Sequence, residues 1–347
     1  MENQYHKKEM EKTIEKTREL CKPLPDYVSR FVRSIQQRTE PKTRLEYVKD
    51  IKNFMEYIKE FLNDEGKSVE IKDISVEYLG TLDKPFFEDY FDYLQEYKKN
   101  NKVYVNSRAT IKRKLSTLRK FYAFLFNNDY IKTNNITKVE IPKLHKKEII
   151  YMNNNEVSDL LNGVKNGINN DSAMSKAYHD KQALRDTTII TLLLSTGIRV
   201  SECAGLDIKD VDLNNNCIKI IRKGGKEGTV YFSDTTTTLL SEYIAFRKTI
   251  QTDKDNEGAL FLSSRRTRLG VRSIEKLVKK YAQATVPMKK ISVHKLRSTY
   301  GTALYNNTND IFVVADVLGH SDINTTSKHY SSISDTRKQE IRNEGIV

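Results

Sequence analysis

Apolar side chains recur every three to four residues through most of the first 130 residues, the spacing that lines one face of an α-helix. This pattern predicts four helices, at residues 25–37, from residue 41 onward, at 85–98 and at 107–125. Only 14 Gly and 6 Pro occur among the 347 residues, which argues against a glycine- and proline-rich fibrous or all-β chain. The first half is therefore expected to form a compact helical domain.

The second half of the chain mixes helical and extended patterns. An apolar run at 184–195 stops at Gly197, which is typical of a helix C-terminus. Two short apolar runs at 217–221 and 229–232 flank a glycine-rich turn and predict a β-hairpin. The polar stretch 163–183 is expected to be a mobile loop. The remaining patterns predict helices at 154–161, 235–249, 272–284, 294–305, 310–318 and 324–330, and a short strand at 259–262.

These patterns divide the chain into four parts. We predict an N-terminal arm over residues 1–23, flexible or weakly helical, followed by a helical domain over 24–130. Residues 131–152 lack a helical period, contain Pro142 and are rich in Lys and Asn, so we interpret them as an extended basic linker. Residues 153–347 are expected to form a second domain that ends in a C-terminal tail. The fold class is therefore mainly α with a small β-sheet.

Positive charge is concentrated in two windows of the chain. The formal net charge is +13, from 59 Lys and Arg against 46 Asp and Glu. Residues 101–150 hold twelve basic against three acidic residues, and residues 261–300 hold eleven against one. Such clusters indicate a polyanionic partner, most often nucleic acid, although a Lys-rich chain can be basic without one.

Other features of the composition exclude several classes of protein. No apolar run reaches the ~18 residues of a membrane span, and the first twenty residues are too highly charged for a signal peptide. The three cysteines have no metal-ligand spacing and suit a reducing compartment. We therefore expect a cytoplasmic protein with no metal site and no membrane partner.

The fourth predicted helix carries a cationic face without interleaved Asp or Glu, so the usual i,i+4 ion pairs do not explain that face. We interpret it as a phosphate-contacting face, with a solvated Lys/Arg face as the simpler alternative. A second basic cluster lies within the window 261–300. The candidate DNA-contact residues are Arg108, Lys112, Arg113, Lys114, Arg119 and Lys120 on the helix, and Arg265, Arg266 and Arg268 in the second cluster.

Four short motifs follow one another in the second domain. They are Gly-Ile-Arg-Val-Ser-Glu from Gly197, Arg-Lys-Gly-Gly-Lys from Arg222, His-Lys-Leu-Arg from His294, and Leu-Gly-His from Leu318, with Tyr330 ten residues beyond His320. Each has a simple structural explanation on its own: an arginine paired with a glutamate, a solvated hairpin lysine, a packed tyrosine. Their joint order and spacing do not fit coincidence. Together they resemble the tyrosine recombinase (phage integrase) family, and most of all Xer-like and mobile-element integrases.

The resemblance implies an N-terminal helical SAM-like core-binding domain and a C-terminal catalytic domain that cleaves DNA. Arg199 and Arg297 would clamp the non-bridging phosphate oxygens, because a guanidinium binds them bidentately and keeps its charge. His320 would donate a third hydrogen bond to the same oxygens. Tyr330 would attack phosphorus and form a covalent 3′-phosphotyrosyl bond.

The resemblance also implies how protons move. Lys223 at the hairpin tip would protonate the departing 5′-oxygen, with Lys226 as its rival. His294 would manage the proton of the tyrosine hydroxyl. Glu202, three residues after the first arginine, would orient the site without reacting. No cofactor is implied, because the covalent bond conserves the phosphodiester energy for rejoining.

The implied partner is duplex DNA that carries a specific recombination site. The family implies a homotetramer on DNA, a monomer or weak oligomer when free, and strand exchange through a Holliday junction. The biological outcome would be integration, excision, inversion or dimer resolution. Two alternatives stay open: a non-catalytic DNA-binding regulator of the same fold, and a type IB-like topoisomerase.

Overall fold

The computed structural model of the protein describes residues 4–99, 101–140, 143, 149–168, 173–222 and 224–319. The chain divides into two compact units, Met1–Lys146 and Lys147–Val347. Both are built mainly from helices, and each contains one small antiparallel sheet, so the fold class is mainly α as predicted. None of the described helices is both long enough and apolar enough to span a bilayer.

The first unit contains six α-helices and a two-stranded hairpin in its described part. Pro41 occupies the first turn of the third helix, and the Ser107 side chain accepts the Thr110 N–H to cap the sixth, as such residues do at helix starts. The elements are α1 (Gln4–Cys21), α2 (Asp26–Ser34), α3 (Pro41–Asp64), α4 (Val76–Thr81), α5 (Lys84–Tyr93), β1 (Glu96–Lys99), β2 (Lys102–Val105) and α6 (Arg108–Asn127).

Aromatic side chains from α2, α3, α5 and α6 contribute to the core of this unit. Phe54 on α3 lies 4.9 Å from Tyr90 on α5, measured between ring centroids in an edge-on arrangement. Phe87 and Tyr122 pack edge-on at 5.1 Å and join α5 to α6. The predicted apolar stripes therefore meet in one core, which confirms that the first half packs as a helical domain.

The structure differs from three expectations for this unit or makes them more specific. The predicted helix 85–98 ends at Tyr93, because the aromatic and β-branched residues that follow pair as β1 and β2, with Tyr97 stacked on Tyr104 at 5.3 Å. The N-terminal arm, expected to be flexible or weakly helical, is the helix α1, and Cys21 at its end is buried against the core. The linker starts later than residue 131, since Ile131, Ile136 and Val139 are buried in the same core. Buried apolar side chains are the common cause of the last two differences.

The second unit contains seven α-helices and a three-stranded sheet among its described residues. The sheet has the order β3–β4–β5, antiparallel throughout, with Ile218 opposite Val230 in the predicted hairpin. The elements are α7 (Asn154–Asn166), α8 (Ala173–Thr196), α9 (Val200–Gly205), β3 (Val211–Asp212), β4 (Cys217–Ile221), β5 (Glu227–Tyr231), α10 (Asp234–Lys248), α11 (Val271–Thr285), α12 (Val293–Thr308) and α13 (Ile311–Leu318).

Two expectations for the second unit are also wrong. The predicted loop 163–183 is helical over much of its length, because the polar residues continue α7 and begin α8. His179 is buried there and its Nε2 lies 2.9 Å from the Val164 carbonyl oxygen, so a polar residue carries part of the packing. Residues 259–262 are buried and make isolated β-bridges instead of a strand. The predicted helix 324–330 and the C-terminal tail lie outside the described residues.

Candidate active site

Gly197 turns the chain between α8 and α9 and thereby places the first motif. The residue has the left-handed conformation, with φ of 62°, which glycine adopts without a steric penalty. A Cβ here would come within 2.5 Å of the Tyr300 ring and 2.9 Å of the Leu318 side chain. The turn buries Ile198 in the core and leaves Arg199 at the start of α9.

Gly197→Ala is expected to destabilise the second unit by about 2 to 5 kcal/mol. A left-handed non-glycine residue costs roughly 1 to 2 kcal/mol, and overpacking against α12 and α13 adds about 1 to 3 kcal/mol. Chemical denaturation of the full chain measures the loss. Gly225→Ala is the matched control, because φ there is 77° but nothing lies within 4 Å of the added Cβ. Equal losses in the two variants would contradict the packing argument.

Arg199 is held in place by Glu202 on the same short helix. Its Nη1 lies 2.8 Å from Glu202 Oε1, and its backbone N–H donates to Glu202 Oε2 at 2.7 Å. Glu202 is 4% exposed, whereas the Arg199 side chain is 34% exposed. The pair matches the simple structural explanation of the motif, and it also fixes the direction in which the guanidinium points.

Arg297 approaches the same place from α12. Its Nη1 donates to the Gly197 carbonyl oxygen at 2.7 Å, and its Nη2 donates to the Leu318 carbonyl oxygen. Arg199 Nη2 donates to the next carbonyl, that of Gly319, at 3.1 Å. The structure therefore brings the two predicted arginines together at the C-terminal end of α13. His294 lies one helical turn before Arg297 on α12 and is exposed.

A third guanidinium, from Arg222 at the end of β4, reaches the same helix end. Its Nη1 and Nη2 donate to the Asp316 and Val317 carbonyl oxygens at 3.2 and 3.1 Å. The last carbonyls of a helix have no partner within it and carry its negative dipole end, so cations are favourable there. Sequence reasoning missed Arg222, because it was noted only as the residue before Lys223.

Several predicted site residues lie outside the described residues, namely Lys223, His320 and Tyr330. Their covalent neighbours Arg222 and Gly319 are described, and both belong to the arginine cluster at the end of α13. Lys226, the rival of Lys223, is exposed, and its carbonyl oxygen accepts the Arg222 N–H at 2.8 Å. The roles predicted for the three residues stay predictions.

Two other potential nucleophiles adjoin the arginines. Cys203 follows Glu202 and is fully buried, which raises the pKa of its thiol to about 12. Tyr300 packs against Gly197, and burial raises the pKa of its hydroxyl as well. Both groups therefore stay protonated near neutral pH, and neither is presented to a substrate as an anion.

The basic face of α6 differs from the exposed surface that its sequence predicts. Asp50, which is 2% exposed on α3, forms a bidentate ion pair with Arg113 and lies 3.5 Å from Lys114 Nζ. Lys114 is only 4% exposed, so its placement on the outer face is wrong. The helix itself has no interleaved acid; the compensating carboxylate comes from a residue more than sixty positions away.

Asp50→Asn is expected to destabilise the first unit by about 3 to 5 kcal/mol, because it removes the buried carboxylate that lies beside the Lys114 ammonium and pairs with Arg113. Thermal or chemical denaturation measures the effect. Asp26→Asn serves as the control, since it removes an exposed i,i+4 pair with Arg30 and should cost under about 0.5 kcal/mol. A loss no larger than that of the control would show that the buried pair does not stabilise the fold.

Of the other candidate DNA-contact residues on α6, some bond to groups within the fold and others are exposed on the surface. Arg119 donates to the Val139 and Thr137 carbonyl oxygens and so holds the segment after α6. Lys120 donates to the Tyr47 hydroxyl at 2.8 Å and stays exposed. Arg108 is exposed and Lys112 is half-buried at the start of the helix. The Arg119 guanidinium thus stabilises the fold, whereas Arg108 and Lys120 are exposed.

In the second basic cluster, Arg268 also makes contacts within the fold. It donates to the Ala204 and Leu206 carbonyl oxygens and pairs with Asp207, with its side chain only 12% exposed. Arg265 and Arg266 lie on an exposed turn. The exposed face of α11 adds four cations that were not singled out from the sequence. They are Arg272, Lys276, Lys279 and Lys280.

Comparisons with known proteins match both halves of the chain. The profile described as the phage integrase family matches residues 151–337, and that of the phage integrase N-terminal SAM-like domain matches residues 28–128. Tyrosine recombinase XerS of Streptococcus mutans is 33% identical, over 94% of this chain and 97% of the relative. Tyrosine recombinase XerC of Caldanaerobacter subterraneus is 31% identical, over 79% of this chain and 72% of the relative.

Solved structures share the fold at lower identity. XerH site-specific recombinase bound to difH substrate, a pre-cleavage complex, has a TM-score of 0.61 and 21% identity, and the match covers 84% of this chain and 77% of that one. The post-cleavage complex on a palindromic difH substrate has a TM-score of 0.63 and 19% identity, with coverages of 91% and 94%.

Proposed function

Because the chain belongs to the phage integrase family of tyrosine recombinases, we propose that it is a site-specific recombinase that cleaves and rejoins duplex DNA through a covalent 3′-phosphotyrosyl intermediate. The observation that carries the proposal is the meeting of Arg199 and Arg297 at the end of α13. XerH, which shares the fold, is bound to its DNA substrate in the solved complexes.

The arginine pair supplies the electrostatic part of the reaction. Attack on a phosphodiester adds negative charge to the non-bridging oxygens, and fixed guanidinium groups stabilise that charge. Glu202 and the Gly319 carbonyl orient Arg199 before substrate arrives, so little reorganisation is needed at the moment of reaction. The Arg199 side chain is 34% exposed and can face a phosphate, and Arg297 approaches the same helix end to form the second half of the clamp.

The other predicted site residues transfer the DNA phosphate to the tyrosine and move the protons that this transfer requires. The Tyr330 hydroxyl oxygen bonds to phosphorus and gives up its proton, which His294 manages. The bond from phosphorus to the 5′-oxygen breaks, and Lys223 gives that oxygen a proton. His320 donates to a non-bridging oxygen. Rejoining reverses these steps with the 5′-hydroxyl of the partner strand, so no external energy source is required.

We further propose that four protomers assemble on two duplexes and exchange strands through a Holliday junction. The exposed cations of α6 and α11, with Arg265 and Arg266, contact DNA phosphates, whereas Lys114, Arg119 and Arg268 stabilise the fold. Phosphate contacts fix the position of a protein along DNA without recognising the base sequence.

A nicked recombination site tests the proposed function. The nick lets the cleaved 5′ fragment diffuse away, so the covalent intermediate accumulates as an SDS-stable protein–DNA adduct. The full chain is incubated with the site taken from the DNA that flanks its reading frame, and the adduct is digested and mapped by mass spectrometry. DNA binding without any adduct would instead identify a non-catalytic regulator. Relaxation of supercoiled DNA without strand exchange between two sites would identify a topoisomerase-like enzyme.

A further inference from the structure

Arg222 has no part in the proposed chemistry, yet it makes the contacts that join the β4–β5 hairpin to α13. Its guanidinium donates to two successive carbonyl oxygens at the helix end, those of Asp316 and Val317. Its backbone N–H donates to Lys226 at 2.8 Å, and its carbonyl accepts the Gly225 N–H at 3.1 Å. One residue therefore closes the hairpin turn through its backbone and anchors it through its side chain.

The guanidinium occupies a space that two glycines leave open. A Cβ at Gly319 would come within 1.6 Å of Arg222 Nη1, so the guanidinium would have to leave its present position. A Cβ at Gly228, on the facing strand, would come within 2.9 Å of Arg222 Nε. The two glycines leave room for the guanidinium beside the hairpin and the helix end, where it makes its two carbonyl contacts.

The same helix end also holds the predicted phosphate clamp. Arg297 donates to the Leu318 carbonyl oxygen and Arg199 to that of Gly319. Four successive carbonyl oxygens therefore accept hydrogen bonds from three guanidiniums that come from three different parts of the chain. Moving Arg222 relative to this helix end would move the hairpin relative to the clamp.

We infer that Arg222 is a positioning residue that fastens the β4–β5 hairpin to the C-terminal end of α13 and so sets the hairpin turn against the clamp formed by Arg199 and Arg297. The inference rests on the proposed function, in which Lys223, the next residue in the chain, protonates the leaving 5′-oxygen. A misplacement near 1 Å can cost a catalytic group about 10²-fold in rate. Arg222 thus acts on cleavage through the residue beside it.

A DNA substrate with a sulfur leaving group distinguishes an effect of Arg222 on leaving-group protonation from an effect on the phosphate clamp. When sulfur replaces the bridging 5′-oxygen, the leaving group is a thiolate. Thiols are much more acidic than alcohols, with a pKa of about 8.5 for cysteine, so the thiolate departs without a proton from the enzyme. Cleavage of nicked sites with oxygen or sulfur at that position is followed in single turnovers. Arg222→Ala and Arg222→Lys are compared with Lys223→Ala, Arg297→Lys and the parent chain, at a DNA concentration that saturates each protein.

Arg222→Ala should cleave the oxygen site roughly 10- to 100-fold more slowly than the parent and should recover most of that loss on the sulfur site. Arg222→Lys should behave similarly, because the single ammonium of lysine cannot replace the two planar N–H donors with which Arg222 binds two carbonyl oxygens. Arg297→Lys should stay slow on both sites. Lys219→Ala is the control, since it removes a cation from the exposed face of the same hairpin and should match the parent.

Each outcome has a defined meaning. An unchanged rate for Arg222→Ala on the oxygen site, or an equal loss on both sites, would overturn the positioning role. Loss of DNA affinity in Arg222→Ala with recovery in Arg222→Lys would make Arg222 a phosphate contact and would also overturn it. If Lys223→Ala is not rescued by sulfur, the proposed role of Lys223 fails, whereas rescue of Lys223→Ala without rescue of Arg222→Ala counts against Arg222 alone.

Discussion

Tyr330→Phe is expected to abolish the covalent protein–DNA adduct, because phenylalanine has no oxygen to bond to phosphorus. The ring is kept and one oxygen atom is lost, so DNA binding and unfolding should match those of the parent chain. The adduct is measured on denaturing gels with a nicked site, and binding is measured by mobility shift at one fixed salt concentration.

Tyr231→Phe is the matched control for this experiment. Tyr231 lies on β5 with its side chain exposed, and the same hydroxyl is removed from the same unit. Its adduct yield should equal that of the parent. An adduct that persists in Tyr330→Phe would refute the assignment of the nucleophile and would direct the search to other tyrosines by peptide mapping.

Arg297→Lys is expected to slow cleavage by about 10² to 10³-fold, the cost of removing one preorganised donor from a developing anion. It should also lower stability, because Arg297 is 6% exposed and joins the Gly197 and Leu318 carbonyl oxygens. Arg199→Lys should show a similar loss of rate with a smaller loss of stability, since its side chain is partly exposed. Single-turnover cleavage is therefore measured at a temperature where every variant is folded, as judged by circular dichroism.

Arg247→Lys separates the two effects. Arg247 is another buried arginine, 3% exposed, and it donates to the Ala259, Asn256 and Glu257 carbonyl oxygens within the second unit. This variant should be destabilised like Arg297→Lys but should cleave at the parent rate while folded. If both buried arginines reduced cleavage equally, the loss in Arg297→Lys would reflect folding, and the phosphate clamp would lack support.

Local patterns determined most of the element order. Apolar periodicity located α3, α6, α11 and α12 closely, because a helix that packs on a core must repeat its apolar residues every three to four positions. Gly197 ended α8 as predicted, since only glycine enters the left-handed conformation at no cost. The segment 163–183 and the hairpin β1–β2 were missed, because polar helices and short exposed strands have little periodic apolar content.

The sequence alone does not show which of its basic residues are exposed to solvent. Residues that count equally in the net charge of +13 have different environments: Lys114 is buried beside Asp50, Arg268 pairs with Asp207, and Lys276 is exposed. The partner acids lie far away in the chain or on another element, so spacing along one helix cannot reveal them. The basic windows thus overstated the number of cations that face solvent.

The order of the four motifs was enough to identify the family and to predict which residues carry the chemistry, since both depend on residue type and spacing along the chain. Tertiary structure alone decided that Arg199, Arg222 and Arg297 share the carbonyl oxygens of one helix end. The reason is physical: carbonyls at the end of a helix must find donors, and donors from distant segments reach them only once the chain has folded.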